Sequence, residues 1–161
     1  MIYNNLGLLY SNQKNDNVKA EEYYRKSIAL NQKIPEPYNN LASLYKALDK
    51  YDEAIKYYNK AIEINPKFVH AYHNLGNIYM ALGKFKEAKI KFMKVIEIDP
   101  NYSISHRALS RLINYDDMDQ HFLQLKKLYE KINLQNESIN TLNKINLAFA
   151  LGKAYEDIKD F

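Results

Sequence analysis

VHAYHNLGNIYMALGKFKEAKIKFMKVIEIDP, residues 69–100, reads as one helix, a tight turn, a second helix and a stop. Tyr72, Leu75, Gly76 and Tyr79 stand at i, i+3, i+4 and i+7, which draws one apolar stripe along the first helix. Gly76 supplies a small side chain where a second helix must approach, and Ala88 does the same from the other side. Pro100 cannot continue a helix and closes the unit. A helix pair this short cannot bury its apolar face alone, so units of this kind are stacked in series.

Self-comparison finds the other units. Ala20, Ala54 and Ala88 lie 34 residues apart, as do Tyr24, Tyr58 and Phe92. Tyr38 and Tyr72, Leu41 and Leu75, Tyr45 and Tyr79, and Pro66 and Pro100 repeat the interval. YNNLGLLY, YNNLASLY and YHNLGNIY begin at Tyr3, Tyr38 and Tyr72, with Gly7, Ala42 and Gly76 in the small slot. On these residues the chain resembles the tetratricopeptide-repeat family over at least residues 1–102, with Tyr in place of that family's usual Trp. The resemblance implies an all-α fold, a right-handed superhelical solenoid of antiparallel helix pairs. The expected repeats are about 1–34, 35–68, 69–102, a divergent 103–136 and an incomplete 137–161.

Two units depart from the pattern. Tyr10 to Ala20 spans ten residues where Tyr45 to Ala54 and Tyr79 to Ala88 span nine, so one residue is inserted in the polar turn Ser11–Asn17. Gln32 there replaces the closing proline. After Pro100, ISHRALSRLINY keeps the first-helix layout, with His106, Leu109, Ser110 and Ile113 in the key slots. Phe122 stands where alanine is expected, which predicts a shifted packing for the amphipathic helix Asp119–Ile132. Asn136 or Ser138 is placed to cap a last helix carrying Leu151, Gly152 and Tyr155, and Phe161 aligns with Tyr51 and Phe85. The chain stops halfway through a fifth repeat without a polar cap, which predicts a fragment of a longer protein and end-to-end self-association through the open repeat. Residues 103–161 also resemble the last repeats of bacterial tetratricopeptide proteins fused to a sulfotransferase domain. That resemblance implies a substrate-presenting arm for a sulfotransferase or glycosyltransferase, with no catalytic residue in this chain.

Composition narrows the function. The net charge is +4, but Lys is spread through the chain and balanced locally by Glu and Asp, with no run of five or six like charges. Solvated helix faces, not a nucleic-acid arm, are expected. No apolar run approaches the roughly 18 residues of a membrane helix. The absence of cysteine excludes disulfides and thiolate metal sites and fits a cytoplasmic protein.

Binding residues follow from the family resemblance, which places the first helix of each unit along a concave groove. The inward slots hold Asn4, Asn5 and Leu8; Asn39, Asn40 and Ser43; His73, Asn74 and Asn77; and Arg107, Ala108 and Arg111. Asn5, Asn40 and Asn74 occupy equivalent positions, and an amide both donates and accepts. Such a ladder, similar to that of O-linked N-acetylglucosamine transferase, implies pairing with the backbone of an extended peptide or partner helix. The chaperone carboxylate clamp places Lys and Asn in its first unit, Asn in its second, and Lys and Arg in its third; the corresponding residues here are Asn4, Leu8, Asn40, His70 and Asn74, so only Asn40 fits and the cations are absent. Arg107 and Arg111, one turn apart, are placed to grip an acidic side chain. His70 and His73 lack a third ligand, so no metal and no cofactor are expected. Asp116, Asp117 and Asp119 read as caps rather than acid–base catalysts. The reading is a non-catalytic interaction scaffold.

Overall fold

The computed structural model describes residues 1–116, 119–134 and 141–159. Among them are nine α-helices and no strand: α1 (Ile2–Asn12), α2 (Asn17–Leu30), α3 (Pro35–Ala47), α4 (Tyr51–Ile64), α5 (Val69–Ala81), α6 (Phe85–Ile98), α7 (Ser103–Ser110), α8 (Gln120–Leu134) and α9 (Thr141–Lys159). They divide into two compact units, Met1–Lys84 and Phe85–Phe161.

In the first unit α1 packs on α2, α3 on α2 and α4, and α5 on α4, while α1, α3 and α5 also touch in series. The small residues do what their spacing predicts. A Cβ at Gly7 would meet the Tyr24 ring at 2.5 Å, so only glycine admits that ring between α1 and α2. Ala20, Ala42, Ala54, Ala61 and Ala71 are fully buried and let Tyr24, Leu41, Tyr58, Leu75 and Ile78 close the core. Each large side chain buried this way contributes about 1.5–3 kcal/mol. Asp16 caps α2 by accepting from the Lys19 amide at 3.0 Å, and Pro35 preorganises the first turn of α3.

The connection before α2 spans residues 13–16 and that before α4 spans 48–50, so the inserted residue sits in the first turn. Asn15 and Asp49 adopt φ of 48° and 56°, the left-handed turn that short polar side chains tolerate. The missing proline at Gln32 has a substitute. Asn31 accepts from the Lys33 amide at 2.9 Å, and Asn65 accepts from Lys67 at 3.0 Å, one period later. Asp99 repeats the same turn with Asn101 at 3.0 Å in the second unit. A side-chain turn therefore ends α2, α4 and α6 whether or not proline follows.

The second unit departs from the repeat. Helix α7 ends at Ser110, so Ile113 lies outside it and the first-helix layout expected for ISHRALSRLINY is cut short. The termination has long-range causes. The Tyr115 amide donates to Asp157 of α9 at 3.2 Å, and its hydroxyl is bonded to His121 of α8 at 2.6 Å. Helix α7 packs on α6 and α9, and α8 packs on α9. Phe122, in the slot where alanine is expected, is buried and meets Tyr155 of α9 edge-on at 5.3 Å. Asp119 caps α8 by accepting from the His121 and Phe122 amides at 2.8 and 3.1 Å. Asp117, Asn136, Ser138 and Phe161 lie outside the described residues.

Candidate functional site

The first helices of the first unit carry a directional chain of side-chain hydrogen bonds. Lys46 Nζ donates to Asn74 Oδ1 at 3.3 Å, and Asn74 Nδ2 to Asn39 Oδ1 at 3.5 Å. Asn39 Nδ2 then donates to Asn40 Oδ1 at 3.4 Å, and Asn40 Nδ2 to Asn4 Oδ1 at 2.9 Å. Helices α1, α3 and α5 are thus joined along one polar seam. The Asn40–Asn4 bond is of ordinary length, whereas the other three are long and weak, so an incoming ligand can replace them at small cost.

The structure redistributes the expected groove residues. Asn39, Asn40 and Asn74 are brought together, half-buried, but the α1 member of the seam is Asn4, and Asn5 is exposed. The Ser43 hydroxyl is bonded to Tyr58 of α4 at 2.9 Å, which engages it between helices. Leu8 packs against the core. Asn77 is half-buried on α5. His70 is exposed and meets the Phe68 ring edge-on. His73 is half-buried, and burial, with the Lys46 cation and His70 beside it, pushes its imidazole down to about 4.

Lys46 was not among the expected residues. It lies in the last turn of α3, half-buried, and burial pulls its ammonium below the usual lysine value. Among the described residues no carboxylate lies within ion-pairing distance of it. A half-buried cation without a counter-ion is costly and favours an anion in the space it faces.

In the second unit Arg107 and Arg111 line an open cleft of about 590 Å³ between α7 and α9. The Arg107 guanidinium lies over the Phe149 ring, 4.3 Å from its centre, and donates to Asn146 Oδ1 at 3.3 Å. Asn146 is buried and donates to Ser103 Oγ, which donates to Asn143 at 2.7 Å. This backing holds the guanidinium against the Phe149 ring on the cleft wall. Lys153 and Glu156 stand on the same wall, and Lys153 is paired with Asp157. No group of three or more metal-capable side chains, and no helix long and apolar enough to cross a membrane, occurs among the described residues.

The tetratricopeptide-repeat family models match residues 2–34, 35–68 and 69–102. No curated protein matches the chain. Among solved structures, the first tetratricopeptide domain of Spaghetti (RPAP3) bound to the HSP90 peptide SRMEEVD is 27% identical, with TM-score 0.64 over 69% of this chain and 87% of that one. MamA is 22% identical, with TM-score 0.64 over 96% and 75%. A Thermobaculum terrenum O-GlcNAc transferase mutant is 16% identical, with TM-score 0.65 over 81% of this chain and 25% of that one. The last two likenesses concern the fold alone. Three consecutive matched repeats, two of them seen packed in series on α1 to α4, place this chain in the tetratricopeptide-repeat family.

Proposed function

We propose that this chain is a non-catalytic interaction module whose first-helix face binds an extended, acidic peptide. The observation that carries the reading is the amide seam of the first unit ending on Lys46. Its amides offer donors and acceptors to a peptide backbone irrespective of sequence, and the ammonium supplies the one charged anchor. The peptide in the RPAP3 structure, SRMEEVD, carries three acidic residues, which supports the same ligand class. Arg107 and Arg111 give the second unit a cationic cleft of its own, with Phe149 as an apolar shelf for a neighbouring side chain.

Selection of random heptapeptides against the whole chain tests this. Selected sequences are expected to be rich in Asp and Glu. Their affinity should fall about tenfold in Lys46→Gln, the scale of one charge-assisted hydrogen bond, and further in Asn40→Ala with Asn74→Ala. Selected peptides without acidic residues, or affinities indifferent to both variants, would overturn the reading.

We also propose that α9 mediates association between copies, because Leu142, Ile145, Phe149 and Tyr155 expose apolar surface on it. Sedimentation velocity should show concentration-dependent self-association that Ile145→Lys with Tyr155→Lys abolishes; a monomer at all concentrations would contradict this.

A further inference from the structure

The second unit contains a part-buried chain of hydrogen bonds that the binding reading does not use. His106 Nε2 lies 2.8 Å from the Pro100 carbonyl, His106 Nδ1 lies 2.8 Å from His121 Nε2, and His121 Nδ1 lies 2.6 Å from the Tyr115 hydroxyl. The two imidazole rings are within 3° of parallel. His106 is 0% exposed and Tyr115 1%.

Chemistry sets the direction of this chain. A carbonyl only accepts, so His106 Nε2 carries its proton and, in a neutral ring, Nδ1 accepts. His121 Nε2 must then donate, His121 Nδ1 accepts, and the Tyr115 hydroxyl donates. Both rings are therefore neutral Nε2–H tautomers. One added proton goes to His121 Nδ1, which then donates to the Tyr115 hydroxyl; that hydroxyl turns its own proton away, while the bond from His121 Nε2 to His106 Nδ1 persists. A second proton sets N–H against N–H between the rings, and the bond between them is lost.

That bond has structural weight because α7 and α8 each pack principally on other helices: α7 on α6 and α9, α8 on α9. His106–His121 ties the two directly, and Tyr115 ties the segment after α7 to α8 and α9. We propose that the Tyr115–His121–His106–Pro100 chain is an acid-sensitive latch, closed at neutral pH and opened by protonation of the histidine pair, which releases Tyr115 and the first turn of α8 from α7.

The surrounding charges bear on the pair from every side. Asp99 at the end of α6 favours protonation of His106, and Glu97 shares with His121 an open cleft of about 440 Å³. Asp119 at the start of α8 and Asp157 of α9 act on Tyr115, with Asp157 itself paired to Lys153. Arg107, next to His106 on α7, is turned to Phe149. Asp116, after α7, is exposed. Against these carboxylates burial dominates: it lowers His106, and with His106 as neighbour it takes His121 down to about 3. The latch thus stays closed until well into acid.

Nitrogen-15 NMR of the whole chain, titrated from about pH 7 to about pH 1.5, tests the latch with amide exchange as a second readout. At neutral pH both rings should show the Nε2–H tautomer. On acidification the Tyr115 and Phe122 amides should lose protection at least about tenfold as the rings protonate. His121→Gln offers a donor and an acceptor in place of the ring nitrogens but does not titrate. It should leave neutral-pH melting unchanged and move the loss of protection down by about one pH unit. His106→Gln serves as the second variant should His121→Gln fold poorly. Rings protonated or in Nδ1–H form at neutral pH, or an acid transition at the same pH in every glutamine variant that folds, would overturn the proposal.

Discussion

Lys46 is the residue on which the binding account turns, and its position explains why pattern reading passes it by. It stands in the last turn of α3, outside the groove slots that the family resemblance supplies, and only the fold brings it to Asn74 and His73. Lys46→Gln keeps a donor for Asn74 while removing the charge. Its thermal stability should match or slightly exceed that of the parent, whereas acidic-peptide affinity drops; calorimetry and titration on the same preparation check both. The adjacent choice between Asn4 and Asn5 was equally hidden. Neighbouring helical residues point about 100° apart, and a 34-residue period cannot say which of two asparagines faces α3. The packing of Gly7 on Tyr24 holds α1 against α2, and in that setting Asn4 is the one that reaches Asn40. Gly7→Val should cost about 1–3 kcal/mol in chemical denaturation, because the Tyr24 ring occupies the space of any Cβ. An unchanged midpoint would show that the ring moves aside freely.

At the scale of elements, the helix pairs of the first unit were legible because their complementarity is local. Small residue and aromatic ring sit within one period of each other, as Gly7 and Tyr24 do, so spacing alone reveals the pair. Helix α7 was not legible. Its length depends on Tyr115 reaching Asp157, 42 residues away, and His121, and no local propensity encodes those bonds. The Asn31, Asn65 and Asp99 turns could have been read from the period, since all three stand 34 apart before residues whose amides they accept. Asn31→Ala should destabilise the junction of α2 and α3 by about 0.5–1.5 kcal/mol, the usual worth of one such bond, seen as faster exchange of the Lys33 amide. No change there would assign the junction to packing alone.

For the molecule as a whole, acid is the common threat to both units. His73 falls from an ordinary 6.5 to about 4 in the folded state, so the unfolded chain takes up the proton first. Stability is therefore intact above about 6.5 and declines as pH drops toward 4, at up to about 1.4 kcal/mol per pH unit for this one group. His73→Gln should flatten the loss in the first unit and leave that of the second unchanged, with amide exchange resolving the two. The central claim concerns binding, and it is tested most directly by side-chain NMR. A selected acidic peptide titrated into the whole chain should shift the NH₂ signals of Asn39, Asn40 and Asn74 and the Lys46 ammonium. It should leave unmoved Arg25, whose guanidinium is already engaged by Glu21 and Tyr45. Shifts confined to residues away from the seam, with those amides unmoved at saturation, would contradict it.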